Sequence, residues 1–390
     1  MVHKFLRNEG ALVVQGAALV FVAVGLVYVL GSTKLFTIKY DSAAAVALSA
    51  TTTIATTQAV STAPVIPPLD VADYDRRMWL MANNGTTTMP VGYGSTTLPH
   101  AALATSTLAT STSKVKKFLW PVKTVYPNGG AILPFHRIIA YYGNFYSKGM
   151  GVLGKYPKDI MLSKLADEVA KWNAADPETP ALPAIDYIAV TAQGSPGADG
   201  KYRLRMPDSQ IDYALELADE VHGIVILDVQ VGLSNLQSEL PPLEKYLKMP
   251  NVHLAIDPEF SIKSKNKPGE VIGTMNAADV NYAAGFLAKL VKDNNLPPKI
   301  LIVHRFTQGM VVGYKQIEPL PEVQVVMDMD GWGSPAKKIG TYTNFIEAQP
   351  VQFTGFKLFY VNDLRAPSTR MLTPTDLLKL SPKPVFIQFQ

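Results

Sequence analysis

GIVILDVQVGLSNLQSELPPLEKYLKMPNVHLAIDPE, residues 223–259, holds the pattern that decides the fold. It begins with an apolar, β-rich run, GIVILDVQ (223–230), and closes on another, NVHLAID (251–257). Between them lies a helical stretch near 235–248. Each run turns polar only at its end, with Asp228 and Gln230 in the first and Asp257 and Glu259 in the second. A strand, a crossover and a second strand of the same texture describe a parallel βαβ unit.

The unit repeats in both directions. Further strands are expected at 136–142 (HRIIAYY), 183–191 (PAIDYIAVT), 299–305 (KILIVHR), 322–328 (EVQVVMD), 353–360 (FTGFKLFY) and 384–389 (PVFIQF). Helices are expected near 157–173, 207–221 and 276–294, with shorter ones around 335–345 and 373–380. Asn276 can cap the third of these, and Thr373-Pro374 opens the last with proline at its first position. Eight parallel strands in about 260 residues predict an α/β (β/α)8 TIM barrel over residues 118–390. No G-x-G-x-x-G turn follows any strand, which counts against an open dinucleotide-binding sheet. The chain ends at the eighth strand, so residues 69–84 or 118–134 are candidates to cover the missing eighth helix.

Upstream, residues 11–31 (ALVVQGAALVFVAVGLVYVLG) carry no charge. As a helix they would span roughly 30 Å, the thickness of a bilayer's hydrocarbon core. The expectation is a transmembrane signal-anchor at 11–31 behind a cytoplasmic N-terminus, residues 1–10. Residues 32–117 then form a stalk rich in Ser, Thr and Ala, too poor in large apolar side chains to offset the entropy of folding. One segment breaks the stalk, LDVADYDRRMWLMANN (69–84), where Asp70 can cap a short helix whose apolar face carries Tyr74, Met78, Trp79 and Leu80. Stalk helix and segment docked on the barrel are both open readings. The expected location is the cell membrane, single-pass, with the barrel outside the cytoplasm. The membrane, through residues 11–31, is then one partner.

Composition narrows the chemistry. There is no cysteine, hence no disulfide, thiol nucleophile or thiolate-held metal. A net charge of +4 over 390 residues gives no reason to expect nucleic acid, and no cofactor is expected. His304 beside several aspartates would suit a divalent ion, but H-x-H and H-E-x-x-H are missing, so no metal is assigned. The glycine-bearing loop GSPGADGKYRLR (194–205) reads as a lid.

In barrels of this kind chemistry sits at the carboxyl ends of the strands. Asp228, Asp257, Glu259 and Asp330 are the expected catalytic carboxylates. Tyr142, Asn144, Gln193, Gln230, His304, Arg305, Asp328, Trp332, Lys357, Tyr360 and Gln388 are expected around the substrate. Residues two apart on a strand share a face, so Asp228 with Gln230, Asp257 with Glu259 and Asp328 with Asp330 form same-face pairs. Paired carboxylates suit glycoside hydrolysis, in which one protonates the leaving oxygen and another attacks or activates water. Glu259 is the preferred acid, its pKa raised by Asp257, with Asp330 or Asp228 opposite.

From about Trp120 onward the runs RIIAYYGNFYS, YIAVTAQGSPGADGKYR, ILDVQVG, LAIDPEF, LIVHRFT, DMDGWG and GFKLFY resemble an uncharacterised family of bacterial exported, lipoprotein-like TIM-barrel proteins. That resemblance implies a barrel and export. Asp257 and Glu259 also resemble the end of the D-x-x-D-x-D-x-E motif of chitinase-like glycoside hydrolases, which would make Glu259 the proton donor. Val252 and Ala255 stand where that motif has its earlier acids. The expected function is a membrane-anchored hydrolase acting on an envelope glycan. A non-catalytic binding or scaffold barrel and a metal-dependent hydrolase are the alternatives.

Overall fold

The computed structural model describes residues 66–83 and 119–390. The predicted span at 11–31, the N-terminus at 1–10 and the stalk outside 66–83 lie beyond the described residues. Among those described, no helix is long and apolar enough to cross a membrane.

All eight expected strands form: β1 Arg137–Gly143, β2 Ala181–Ala192, β3 Ile224–Val229, β4 Val252–Ile256, β5 Lys299–Arg305, β6 Val323–Met329, β7 Phe353–Leu358 and β8 Phe386–Phe389. Each pairs in parallel with its chain neighbours, and β1 pairs with both β2 and β8, so the sheet closes into the (β/α)8 TIM barrel. Closure gives each of these eight strands a partner on both sides. Side chains of period two point inward. Their lower layers are Ile138, Ala140, Ala184, Ile224, Ile226, Ala255, Ile300, Ile302, Val326, Phe353 and Phe386, all in one buried cluster. The opposite face of each strand meets the helices in a second cluster through residues such as Leu227, Leu254, Leu301 and Val325. The carboxyl ends then switch to charged residues, which the barrel hides almost completely.

Outer helices cover the sheet at α2 (Lys158–Ala175), α3 (Asp208–Glu220), α4 (Ala277–Asn294) and α5 (Pro335–Tyr342). Asn276 caps α4 in a reciprocal box with Asp279, and Thr373 does the same with Asp376 for a short helix at Pro374–Leu377. The expected helix at 235–248 is broken into short turns, Leu236–Glu239, Pro241–Leu243 and Glu244–Leu247. Pro241 and Pro242 supply no backbone N–H, so a continuous helical ladder cannot form there. Between β5 and β6 there are only 3₁₀ turns and a two-residue strand, Val311–Val312, paired with Met275–Asn276.

The 69–84 segment is helical at α1 (Val71–Ala82), and Asp70 caps it by accepting from the Asp73 N–H at 2.9 Å. This helix docks on the barrel. Tyr74, Met78 and Met81 join the cluster of lower interior residues, so they close the floor at the amino ends of the strands. The Lys383 N–H and the Ser381 hydroxyl donate to the carbonyls of Met81 and Ala82 just before β8, and Arg77 reaches the Glu178 carbonyl just before β2. Residues 119–136 complete the floor: Gln324, inside β6, bonds the backbone of Ile132 and Leu133. Tyr126 donates to Asp75 at 2.9 Å, tying the two floor segments together.

Candidate active site

A cavity of about 470 Å³ opens at the carboxyl ends of the strands, within the usual size of a small-ligand site. Of the residues expected from sequence, Tyr142, Gln230, Asp257, Glu259, Asp330, Trp332 and Lys357 line it. Phe260, Phe306, Phe359 and Lys337 line it too. The first two directly follow Glu259 and Arg305 in the chain, a position that the strand-end reading passed over.

Beneath the lining is a buried ionic layer. His304, with none of its side chain exposed, faces Asp228 through Nε2 at 2.9 Å and Asp328 through Nδ1 at 3.1 Å. Asp330 approaches the same Nδ1 at 3.4 Å with one oxygen and Lys357 Nζ at 3.2 Å with the other. Lys357 also lies 3.8 Å from the centre of the Tyr142 ring, a cation–π contact. Gln230 donates to the Tyr142 hydroxyl at 3.1 Å and accepts from the Ala192 N–H at 3.0 Å. Gln388 donates to Asp186 at 2.5 Å.

Strand register explains the convergence. Asp328 stands level with His304 on one side and Gly355 on the other, and Asp186 is level with Tyr142. Gly355 is required for space, because a Cβ there would lie 2.6 Å from Asp328 Oδ1.

Charge is unevenly balanced in this layer. Carboxyl groups of Asp186, Asp228, Asp257, Asp328, Asp330 and Glu259 meet the cationic side chains of His304 and Lys357, with buried Lys338 adding positive charge near Asp328 and Asp330. Burial pushes Asp257 and Asp186 well above the usual carboxylate range, and raises Asp328 as well. For His304, burial opposes the charged form, but Asp228, Asp328 and Asp330 outweigh it and hold the imidazolium well above its ordinary value. Burial also disfavours the charge on Lys357, which Asp330 and neighbouring aspartates restore and more. Glu259 is raised to about 7, first by burial and then by the negative charge of Asp330.

Several expectations are corrected by this geometry. Asp257 is not what raises Glu259. Its Oδ1 accepts from the Glu259 N–H at 3.0 Å, capping the 3₁₀ turn Pro258–Phe260 that presents Glu259 to the cavity. Asp228, His304, Asp328 and Gln388 lie in the layer below and do not line the cavity. His304 is neither a substrate contact nor a free metal ligand, since both ring nitrogens already face carboxylate oxygens. Among the described residues no cluster of His, Asp and Glu is arranged to hold a metal ion.

Arg305, next to His304, points to the opposite face of the strand and bonds the carbonyls of Thr307, Gln308, Val311 and Phe345. Tyr360 stacks on Phe389, 5.4 Å between centroids, and its hydroxyl bonds Tyr141 and Glu168 outside the barrel. Asn144 donates to the Ile188 carbonyl and accepts from the Tyr146 N–H, shaping its own loop. Gln193 stays in the 193–202 turn, its N–H donating to the Tyr202 carbonyl.

That loop is a clamped hairpin rather than a lid. Arg203 and Arg205 both bond the buried Glu239, at 2.9 and 2.7 Å, and residues 194–205 contribute nothing to the lining. Asp186 was missed altogether. Its signal, an acid inside an otherwise apolar run, is visible in PAIDYIAVT. Strand β2 extends several residues past the rim and shifts register between Ile188 and Val190, so its chemistry sits mid-strand rather than at its end.

No family model matches the chain, and no curated protein matches it. Among solved structures it is similar to a cellulase (14% identical, 57% of this chain and 65% of that one, TM-score 0.33). It is also similar to a broad-specificity endoglucanase from Clostridium longisporum (9% identical, 60% and 76% covered, TM-score 0.34) and to a sugar phosphate isomerase/epimerase from Parabacteroides distasonis (9% identical, 67% and 88% covered, TM-score 0.31). The chain spans 65% of the length of that cellulase. The chemistry has to be read from the residues themselves.

Proposed function

We propose that the barrel is a glycoside hydrolase in which Glu259 is the general acid and Asp330 the second carboxylate. The observation that carries this reading is the contrast between the two groups within one cavity. Glu259, raised to about 7, keeps its proton on a large fraction of molecules at neutral pH and can give it to a leaving glycosidic oxygen. Asp330 has positive charge at both oxygens, from Lys357 and from His304, the environment of a group that attacks the sugar or activates water. Asp257 orients the turn that carries the acid, while His304, Asp228 and Asp328 hold Asp330 in place from below. Trp332, 45% exposed, and Phe260, Phe306 and Phe359 add aromatic and apolar surface at the mouth for the faces of sugar rings. The reading is tested by reducing-end release from a panel of oligosaccharides. Glu259→Gln keeps the shape and removes the proton, and should lower turnover by about 10²–10⁴-fold while binding persists. Undiminished turnover in that variant would exclude Glu259 as the acid.

We further propose that the chain is anchored in a membrane by residues 11–31 with the barrel outside the cytoplasm. The uncharged run of 21 residues and the Ser/Thr/Ala-rich stretch after it support this reading. A reporter fused after Gln390 should be active only in the extracytoplasmic compartment, and a cytoplasmic reporter would overturn the topology.

A further inference from the structure

One side of the mouth carries cations without acids. The carboxyl groups come from β2 to β6, whereas the loops after β1, β6 and β7 bring Lys148, Lys155, Lys337 and Arg365. A side cleft of about 290 Å³ holds Lys148, Lys155 and Arg365 and has no Asp or Glu side chain in its wall. It is continuous with the main cavity, since Gly149, Phe359, Asn362 and Gln390 line both. Among the described residues none of these cations has a carboxylate partner. Lys337 and Arg365 instead lie over the Trp332 ring at 4.9 and 5.7 Å, and Lys155 over Tyr156 at 5.6 Å. Glu168, which accepts from the Tyr360 hydroxyl in the cleft wall, is already paired with Lys171.

The loops that carry these cations are built, not loose. Gly151 lies so close to β1 that a Cβ there would sit 2.2 Å from the Tyr142 carbonyl, and Asn144 ties the same loop to β2. Arg365 follows a turn held by the buried Asp363. That side chain accepts from Lys338 at 2.5 Å and from the N–H groups of Gly333 and Phe359, so it fixes the Trp332 and Arg365 loops together. Lys148, Lys155 and Arg365, with no carboxylate partner among the described residues, offer an anionic group a complementary position beside the main cavity.

We propose that this side cleft is a subsite for an anionic substituent, carboxylate, sulfate or phosphate, on the sugar chain whose glycosidic bond lies in the main cavity, so that the substrate is an acidic glycan. The proposal rests on the glycoside-hydrolase reading. The test uses the full chain carrying Glu259→Gln, which slows turnover while binding persists, on an array of oligosaccharides printed as matched pairs. Each neutral sugar is set beside its uronate, sulfated and phosphorylated counterparts. Acidic members should bind about ten-fold tighter than their neutral partners at low salt, with the preference shrinking as ionic strength rises. Adding Lys148→Gln and Arg365→Gln, both exposed and outside the fold's core, should bring the acidic members down to the neutral level. Which acidic series is retained identifies the anion. Neutral and acidic members bound equally would overturn the subsite and leave the hydrolase reading standing. Equal acid preference with and without the two substitutions would also overturn it. An array on which nothing binds would remove both.

Discussion

Replacing Gly355 by alanine perturbs the ionic layer from a position that carries no chemistry of its own. The new methyl carbon would lie 2.6 Å from Asp328 Oδ1 and 2.9 Å from a ring carbon of Phe386, both fully buried neighbours. Carbon atoms are not accommodated that closely, so Asp328 has to withdraw. Withdrawal lengthens its 3.1 Å contact with His304. Overpacking of a tight core costs about 1–3 kcal/mol, and a lost hydrogen bond to a charged group about 1.5–3 kcal/mol. Gly355→Ala should therefore destabilise the barrel by about 2.5–6 kcal/mol, the sum of the two costs, read as a shift of the urea midpoint at constant slope. The same substitution in an Asp328→Ala background should cost at least about 1 kcal/mol less, because the contact it disrupts is already gone. A cost below about 0.5 kcal/mol, or one independent of Asp328, would refute the packing account of this layer.

Met78 of the floor helix is buried against the lower interior, so Met78→Ala should cost about 2–5 kcal/mol in the same assay; an effect within about 0.5 kcal/mol would mean that the helix is not part of the folded barrel. Lys299 donates to the carbonyls of Met249 and Val252, and burial draws its pKa down to about 7 from the ordinary 10.5. Between those values the unfolded chain binds a proton that the folded chain does not, so this residue makes stability rise with pH across the window. Lys299→Met should flatten the rise in urea midpoint between about pH 7 and 9.5, and an unchanged slope would show that the amine is not buried in the folded protein.

The barrel was legible because its signals are local and repeated. Each strand is an apolar run that ends in a polar residue, and eight of them at barrel spacing leave few alternative topologies. The site was legible as far as strand ends coincide with the rim. Asp257, Glu259 and Asp330 do, and they line the cavity. What was hidden is set by three-dimensional register and facing. Asp186 is level with Tyr142 only because β2 overshoots the rim. Arg305 leaves the site because it alternates with His304. The Glu259 pKa depends on Asp330, two strands away in the sheet, rather than on its neighbour Asp257. The docking of Val71–Ala82 was not decidable from its own pattern, since an apolar face on a short helix does not name the surface that it covers.

The most direct test of the central claim is the pH dependence of kcat/KM on an oligosaccharide that the barrel hydrolyses. With Glu259 as the acid, the rate should fall as pH rises through about 7 along a limb of one proton, because the group active in catalysis is the protonated one. Glu259→Gln should remove that limb together with most of the activity. A rate that climbs through pH 7, or a limb near the ordinary glutamate value, would contradict the assignment of Glu259 as the proton donor.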